Sequence, residues 1–396
     1  MCVITHHTMR SISRITDCLH VFYAYWAILR YRFNYKKLCI VGVTGTDGKS
    51  STVVLTARLL RKSGIKTAHY SSISIHNSEK ETVNENKMTT PGRGHLHKFL
   101  ADSVQRGATH AIVEITSEGI KQWRHFGILF DVLVYTNITP EHTERHGSFI
   151  KYKRTKLSLL KALKPHFKST CGGVVLWNAS DSELWKERST FTQYANQGVY
   201  IKPSENDKNP FIGINYQLAK CVASQLHVTA DLDDEEKFLP GRFELFRANP
   251  SVLVDYAHTP RAVEMCLEAA RKLTSGKLIH VFGAAGGGRD SWKRPILAQL
   301  SEQYADVQIL TEENSFDEPV RTIISNIQKG FSKNAEVYIE YKREEAIKKA
   351  FSLAKKYDLI VCTAKGSEVV IAGPRRSKRP YNERNFVTQC LHINQH

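Results

Sequence analysis

The chain has 396 residues, 41% hydrophobic and 24% charged, a composition that excludes wholesale disorder and a length too great for one ordinary hydrophobic core. Its formal net charge of +17 favours anionic partners (nucleotides, phosphosugars, nucleic acid or a membrane surface) without choosing among them. Eight cysteines form no CxxC pair, and Cys39 and Cys362 lie inside apolar runs, which predicts reduced thiols in a cytoplasmic protein and neither a zinc site nor a disulfide framework.

The first element is an apolar, aromatic stretch from Cys18 to Leu29 (CLHVFYAYWAIL), followed by Arg30, Arg32, Lys36 and Lys37. It is shorter than the roughly 20 residues of a bilayer-spanning helix and too aromatic for a secretory signal. Two readings stand: an amphipathic helix packed on the first domain, or a helix making peripheral contact with a membrane surface.

Short apolar runs then alternate with helix-like stretches, the pattern of βαβ units around a mostly parallel sheet. One series comprises Leu38–Val43, Ala111–Ile115, Asp131–Thr136 and Gly173–Trp177. The second comprises Ser251–Val254, Leu278–Phe282, Val307–Thr311, Val337–Glu340 and Leu359–Thr363. Between them lies the acidic run DLDDEEK and then Pro240-Gly241-Arg242, which reads as a hinge. The expected organisation is an N-terminal helical segment (1–37), an α/β central domain (38–239) and a second α/β domain (240–396).

The first strand, LCIVGV, runs into Thr44-Gly45-Thr46-Asp47-Gly48-Lys49-Ser50-Ser51-Thr52 and an apolar-periodic helix. Glycines let backbone amides approach phosphate oxygens, and the helix N-terminus adds partial positive charge. In such a loop Lys49 would neutralise the β- and γ-phosphates and the Ser50 hydroxyl would ligate Mg²⁺. The loop is shorter than the strict Walker spacing, because the nearer glycine is Gly45.

Downstream, Glu114 closes a strand, the usual place for a ligand in an open α/β sheet. The next strand leads into TNITPEHTERHG, carrying Asn137 and His142, and then into YKRTK, carrying Lys156. Taken singly, Glu114 reads as a helix-capping carboxylate, His142 as a loop histidine and Lys156 as a solvated helix face. Their order and spacing after the glycine loop carry the signal.

The GTDGKS loop resembles that of the Mur ligase superfamily, whose members join a carboxylate to an amine with ATP and which includes folylpolyglutamate synthetases. The segments EITSEGIKQWR and TNITPEHTERHGSFIKYKRTK resemble those of the UDP-N-acetylmuramoyl-tripeptide synthetase branch. That resemblance implies a P-loop-type central domain and a Rossmann-like C-terminal domain. It implies ATP held by Gly45, Thr46, Asp47, Gly48, Lys49, Ser50, Ser51 and Asn137, and two Mg²⁺ ions held by Ser50, Glu114, His142 and a carbamylated Lys156. It also implies a muramoyl-peptide contacted by Thr89, Thr90, Ser117, Gln122 and Arg124, with Arg124 as counter-charge to its carboxylates.

The resemblance continues in the second half. PGRFE is similar to the family's hinge, and DYAHTP to a segment, with Asp255 and His258, that closes over the nucleotide. GGRD is similar to the loop whose arginine, here Arg289, reaches the phosphates. AKGSE, with Lys365, Gly366 and Glu368, and the pair Glu313-Asn314 are implied to receive the incoming amino acid. Phe316 stands where diaminopimelate-adding members carry an arginine for the distal carboxylate. The family's separate N-terminal uridine-binding domain is not expected in the residues before Leu38.

The expectation is therefore an amide-forming ligase acting through an acyl phosphate, with domain closure excluding water. Small-molecule substrates, no nucleic acid and a monomeric state complete it. Two alternatives are a folylpolyglutamate-type ligase and a non-catalytic nucleotide-binding partner subunit.

Overall fold

Apolar β-branched runs flanked by helical periodicity dictate strands covered on both faces, and the computed structural model shows two such sheets. It describes residues 22–31, 35–84, 89–92, 94–165, 173–201 and 210–393. These fall into two compact units, one built from the chain up to Pro140 with 149–205 and 212–237, the other from 141–148, 206–211 and 238 onward. Residues 141–148, read from sequence as part of the central domain, group with the second unit.

The first unit holds an eight-stranded sheet made from β1 (Cys39–Thr44), β2 (Thr67–Tyr70), β3 (Ser74–His76), β4 (Glu81–Val83), β5 (His110–Glu114), β6 (Val132–Tyr135), β7 (Val174–Asn178) and β8 (Ala195–Val199). Their order is β4-β3-β2-β5-β1-β6-β7-β8. All pairings are parallel except β2–β3 and β3–β4 at one edge. Central β1 is buried along its whole length, as a strand covered on both faces must be. Its register pairs Val43 with Glu114 on β5 and Thr44 with Tyr135 on β6, so the ends of three strands meet at one place. The covering helices are α1 (residues 22–31), α2 (Lys49–Lys62), α3 (His95–Gln105) and α4 (Ser117–Lys121). Past residues 143–146, α6 (Phe149–Leu157) completes the set that positions the site, α5 being Thr143–His146 of the second unit.

The second unit carries β9 (Glu244–Phe246), β10 (Ser251–Val254), β11 (Leu278–Phe282), β12 (Val307–Leu310), β13 (Val337–Ile339) and β14 (Leu359–Cys362) in the order β13-β12-β11-β14-β10-β9. Only β9 runs antiparallel. Apolar clusters lie on both faces, one around Leu253, Leu267 and Leu297, the other around Ile279, Ile347 and Val387. A fully buried Arg343–Glu383 pair, two parallel hydrogen bonds of 2.7 Å, ties the last helix to the start of the helix Arg343–Leu353.

Among the described residues Cys221, Cys266, Cys362 and Cys390 are free thiols, whereas Cys39 is disulfide-bonded. This corrects the expectation of reduced thiols throughout. An apolar strand accommodates cystine as readily as a thiol, so apolar surroundings do not distinguish them.

Candidate active site

The turn between β1 and α2 is built around two glycines that nothing larger could replace. Gly45 has φ +151°, and a Cβ there would stand 1.9 Å from Thr136 Oγ1. Gly48, at φ +80°, caps α2, and its Cβ would stand 2.2 Å from Asn215 Oδ1. The segment after β6 braces the turn. Asn137 accepts from the Asp47 amide at 2.9 Å and donates to the Asp47 carbonyl at 3.0 Å, while its own carbonyl accepts from the Thr46 amide at 2.9 Å. Thr136 Oγ1 donates to Asp47 O at 2.7 Å. Asn137, expected to bind nucleotide, thus uses its side chain to hold the loop that would do so.

Four predicted residues converge at this turn. Glu114 Oε2, at the end of β5, accepts from Ser50 Oγ at 2.8 Å, and Glu114 Oε1 lies 3.9 Å from Lys49 Nζ. Lys49 also donates to the Thr46 carbonyl at 2.7 Å. Lys156, on α6, is buried and donates to the Gly45 carbonyl at 2.5 Å, with its nitrogen 4.8 Å from the centre of the Tyr152 ring. Burial, reinforced by the charge of Lys49 and opposed by Glu114, holds the Lys156 amine well below the ordinary lysine range. Tyr152 in turn reaches Thr46 Oγ1 at 3.0 Å. Ser51 is buried within the first turn of α2.

Ser72 was missed from sequence. It follows β2, and its amide donates to Glu114 Oε2 at 3.0 Å while its hydroxyl meets Ser50 Oγ at 2.7 Å. Glu114, only 3% exposed, is therefore held by a backbone amide and a serine hydroxyl on one oxygen. An oxygen pair such as Ser50 Oγ and Glu114 suits a hard divalent cation, and the glycine turn at a helix N-terminus suits a polyphosphate.

Beside the same strand end, Thr90 Oγ1 donates to the Glu114 carbonyl and accepts from the Thr116 amide, each at 2.9 Å. Arg124 donates to Thr90 O at 2.6 Å and to Gln122 Oε1 at 3.0 Å. Gln122 is fixed by Glu118 at 2.5 Å, and Ser117 is buried at the start of α4. The predicted acceptor residues Thr90, Gln122 and Arg124 are thus one hydrogen-bonded group, with Thr89 and Ser117 beside it in the chain. Met88, which precedes Thr89, lies outside the described residues.

In the second unit, His142 stands with Glu141 and Asp290, their ligand atoms mutually within 4.8 Å. Asp290 caps α5, accepting from the His142 amide at 2.9 Å and the Thr143 amide at 3.1 Å. Lys293 pairs with Glu141 at 2.9 Å. His142, expected beside Glu114, therefore belongs to the second unit and the remaining predicted metal ligands to the first.

Asp255 accepts from the amides of Phe243 and Ala257, both at 2.6 Å, which makes it a bracket for the start of the second unit. Burial pushes its carboxyl above the usual range. His258 Nδ1 lies 3.0 Å from the Tyr256 carbonyl. The Arg289 guanidinium lies 4.1 Å from the centre of the Phe316 ring, and burial, with help from Arg145, lowers its pKa.

The predicted amino-acid residues also cluster. Asn314 donates to Glu368 at 3.0 Å and to Glu313 at 3.3 Å. Lys365, fully buried, donates to Glu368 at 2.5 Å, Val370 O at 2.8 Å and Asn314 at 3.2 Å, so it serves as an internal counter-ion. Gly366, at φ +50°, packs against the Gly241 carbonyl. Burial raises the Glu313 carboxyl, opposed by Lys365. A cavity of about 580 Å³, lined in part by Glu312, Ser315, Asp317 and Arg379, opens at the same loop.

Comparison with known proteins places these features in a family context. Residues 43–207 match the Mur ligase middle domain, and residues 241–366 match the Mur ligase, glutamate ligase domain. A UDP-N-acetylmuramoyl-L-alanyl-D-glutamate--2,6-diaminopimelate ligase of Aquifex aeolicus is 33% identical over 356 residues, 84% of this chain and 73% of that protein. A UDP-N-acetylmuramyl-tripeptide synthetase of Borreliella afzelii is 31% identical, covering 90% of this chain and 77% of that protein. Among solved structures, a UDP-N-acetylmuramoyl-L-alanyl-D-glutamate--2,6-diaminopimelate ligase superposes with a TM-score of 0.53 at 24% identity, over 91% of this chain and 79% of that one. A folylpolyglutamate synthase of Mycobacterium tuberculosis complexed with ADP superposes with a TM-score of 0.65 at 15% identity, over 90% of this chain and 96% of that one. At such identities the structural likenesses speak to fold.

Proposed function

The chain belongs to the Mur ligase family and is an ATP-dependent acid–amino-acid ligase, and on that premise we propose that it adds an amino acid to a UDP-N-acetylmuramoyl-dipeptide-like acceptor in peptidoglycan precursor synthesis. The observation that carries this reading is the convergence of Lys49, Ser50, Glu114 and Lys156 on one glycine turn. The names of the relatives support the acceptor.

In this reading the acceptor carboxylate takes the γ-phosphoryl group of ATP, giving an acyl phosphate and ADP. The amine of the amino acid then attacks the acyl carbon, phosphate leaves, and the amine gives up a proton as the amide forms. The turn amides and Lys49 hold the triphosphate, and Lys49 neutralises charge on the transferring group. Within the first unit, Ser50, Glu114 and a carbamylated Lys156 would be the residues that hold Mg²⁺. Such ions neutralise the oxygens of the group in transfer. Lys156 suits carbamylation because an amine adds CO₂ only when neutral, and burial lowers its pKa, which favours the neutral form.

Arg124 would face the acceptor's carboxylates, and Glu313, Asn314 and Glu368 the ammonium of the amino acid. Phe316 offers no bidentate contact to a distal carboxylate, which weakens selection for diaminopimelate by about 2 kcal/mol. The test is a panel of amino acids incubated with ATP and UDP-N-acetylmuramoyl-dipeptide, with phosphate release and product mass measured. One adduct mass with stoichiometric phosphate is expected. Phosphate release with folate and glutamate but none with the muramoyl-dipeptide overturns the acceptor.

A further inference from the structure

Helix α1 is docked in the opposite sense to an ordinary surface helix. Its small residues Ala24 and Ala27 are buried, whereas Phe22, Tyr25, Trp26 and Leu29 are 65%, 55%, 48% and 80% exposed. Glycines on the body of the first unit permit the close approach. A Cβ at Gly94 would stand 2.9 Å from the Ala27 methyl, and one at Gly127 would stand 2.5 Å from Ile28 Cδ1. The aromatic surface continues beyond the helix. Tyr25 meets the Phe126 ring at 5.4 Å, Phe126 meets Trp123 at 5.3 Å, and Trp123 is itself 47% exposed. Continuous apolar surface of this kind on a water-facing side marks a place of interaction.

The surrounding charge identifies what it meets. From Phe22 to Leu38 the sequence carries Arg30, Arg32, Lys36 and Lys37 and no acidic residue. Arg30, Lys36 and Lys37 are exposed. Tryptophan and tyrosine with a basic flank suit the boundary between lipid headgroups and acyl chains, where amphipathic rings have one end apolar and the other wet. A net charge of +17 draws the chain to an anionic leaflet. Residues 22–31 form a helix about 15 Å long, against a hydrocarbon core of about 30 Å. Among the described residues, no helix is long and apolar enough to cross a membrane.

We propose that the face formed by α1 and the Trp123–Phe126 turn seats this protein on the surface of an anionic lipid bilayer. The helix lies along the surface, Trp26 and Leu29 enter the headgroup boundary, and the basic flank meets lipid phosphates. The inference is independent of which acceptor or amino acid the ligase uses.

The test is flotation of the full chain with phosphatidylglycerol–phosphatidylcholine vesicles and with phosphatidylcholine alone, together with tryptophan quenching by brominated acyl chains. The expected result is binding to the anionic vesicles, weakened by salt, with quenching. The double variant Trp26→Ser/Leu29→Ser should lose roughly tenfold or more in vesicle affinity. Lys36→Glu/Lys37→Glu should lose binding and its salt dependence. Both should keep the parent's far-ultraviolet circular dichroism and ATP-driven phosphate release. Three results overturn the proposal: no preference for anionic vesicles, equal flotation of parent and Trp26→Ser/Leu29→Ser, or a dimer in sedimentation that shields Trp26, which would give the face to a second copy.

Discussion

Lys156 shows how surroundings change what a residue can do. Burial beside the Gly45 carbonyl, reinforced by the charge of Lys49, disfavours the ammonium of Lys156 and lowers its pKa. The expected outcome of incubation with ¹³C-bicarbonate is a carbamate carbon signal that is absent in Lys156→Gln. Glu114 makes the complementary case. Glu114→Gln preserves shape and can still accept from Ser50 and the Ser72 amide, yet it removes the negative charge opposite Lys49. A loss of about 10²-fold or more in kcat is expected with unchanged thermal unfolding, measured by phosphate release. Lys49, Ser50 and Glu114 were legible in the sequence because each occupies a fixed place at the end of a strand or the start of a helix. Ser72 was not, because its tie to Glu114 is made by a turn after a polar strand that carries no periodic signal. Identity alone also failed to say which groups would occupy a side chain: Asn137, Asp255 and Lys365 were expected to meet ligands, and each is engaged by neighbours within its own unit.

Among the elements, the apolar central strands β1, β5, β6, β11 and β14 were legible because strands covered on both faces read as continuous hydrophobic runs. Edge strands β4, β8 and β9, and three-residue β3 beside β4, were not, since such strands are short and tolerate polar residues; β8 reads ANQGV. Strand β2 was hidden by its composition, TAHY, although all four of its residues are buried. Buried polar residues on strands have consequences of their own. His280, on β11, is fully buried between Ser301 Oγ at 2.8 Å and Thr363 Oγ1 at 2.9 Å. Burial, joined by the charge of Arg343, lowers its pKa from 6.5 to about 3. The native state keeps the ring neutral while the unfolded chain takes up a proton below the ordinary value. Stability is therefore whole above pH 6.5 and falls as pH drops toward 3, by about 1.4 kcal/mol per pH unit from this residue. Denaturant unfolding at about pH 7 and pH 5 should show a stability difference smaller by about 2 kcal/mol in His280→Gln than in the parent.

For the whole molecule, a charge of +17 is a long-range attraction for anionic substrates that salt screens. Raising NaCl from about 20 to about 200 mM should raise the KM for ATP several-fold with little change in kcat, read from initial rates at fixed magnesium. The path of the chain matters at the same scale. The segment from Glu141 to Ser148 is bracketed in sequence by the first unit but packs with the second, where Asp290 receives the His142 and Thr143 amides. Severing the polypeptide at Pro240 would thus not yield two self-sufficient halves. The leading fragment would carry a short helix whose capping carboxylate had left with the trailing one. Chimeras exchanging C-terminal halves between relatives inherit the same constraint: residues 141–148 and the Asp290 loop have to travel as a matched set.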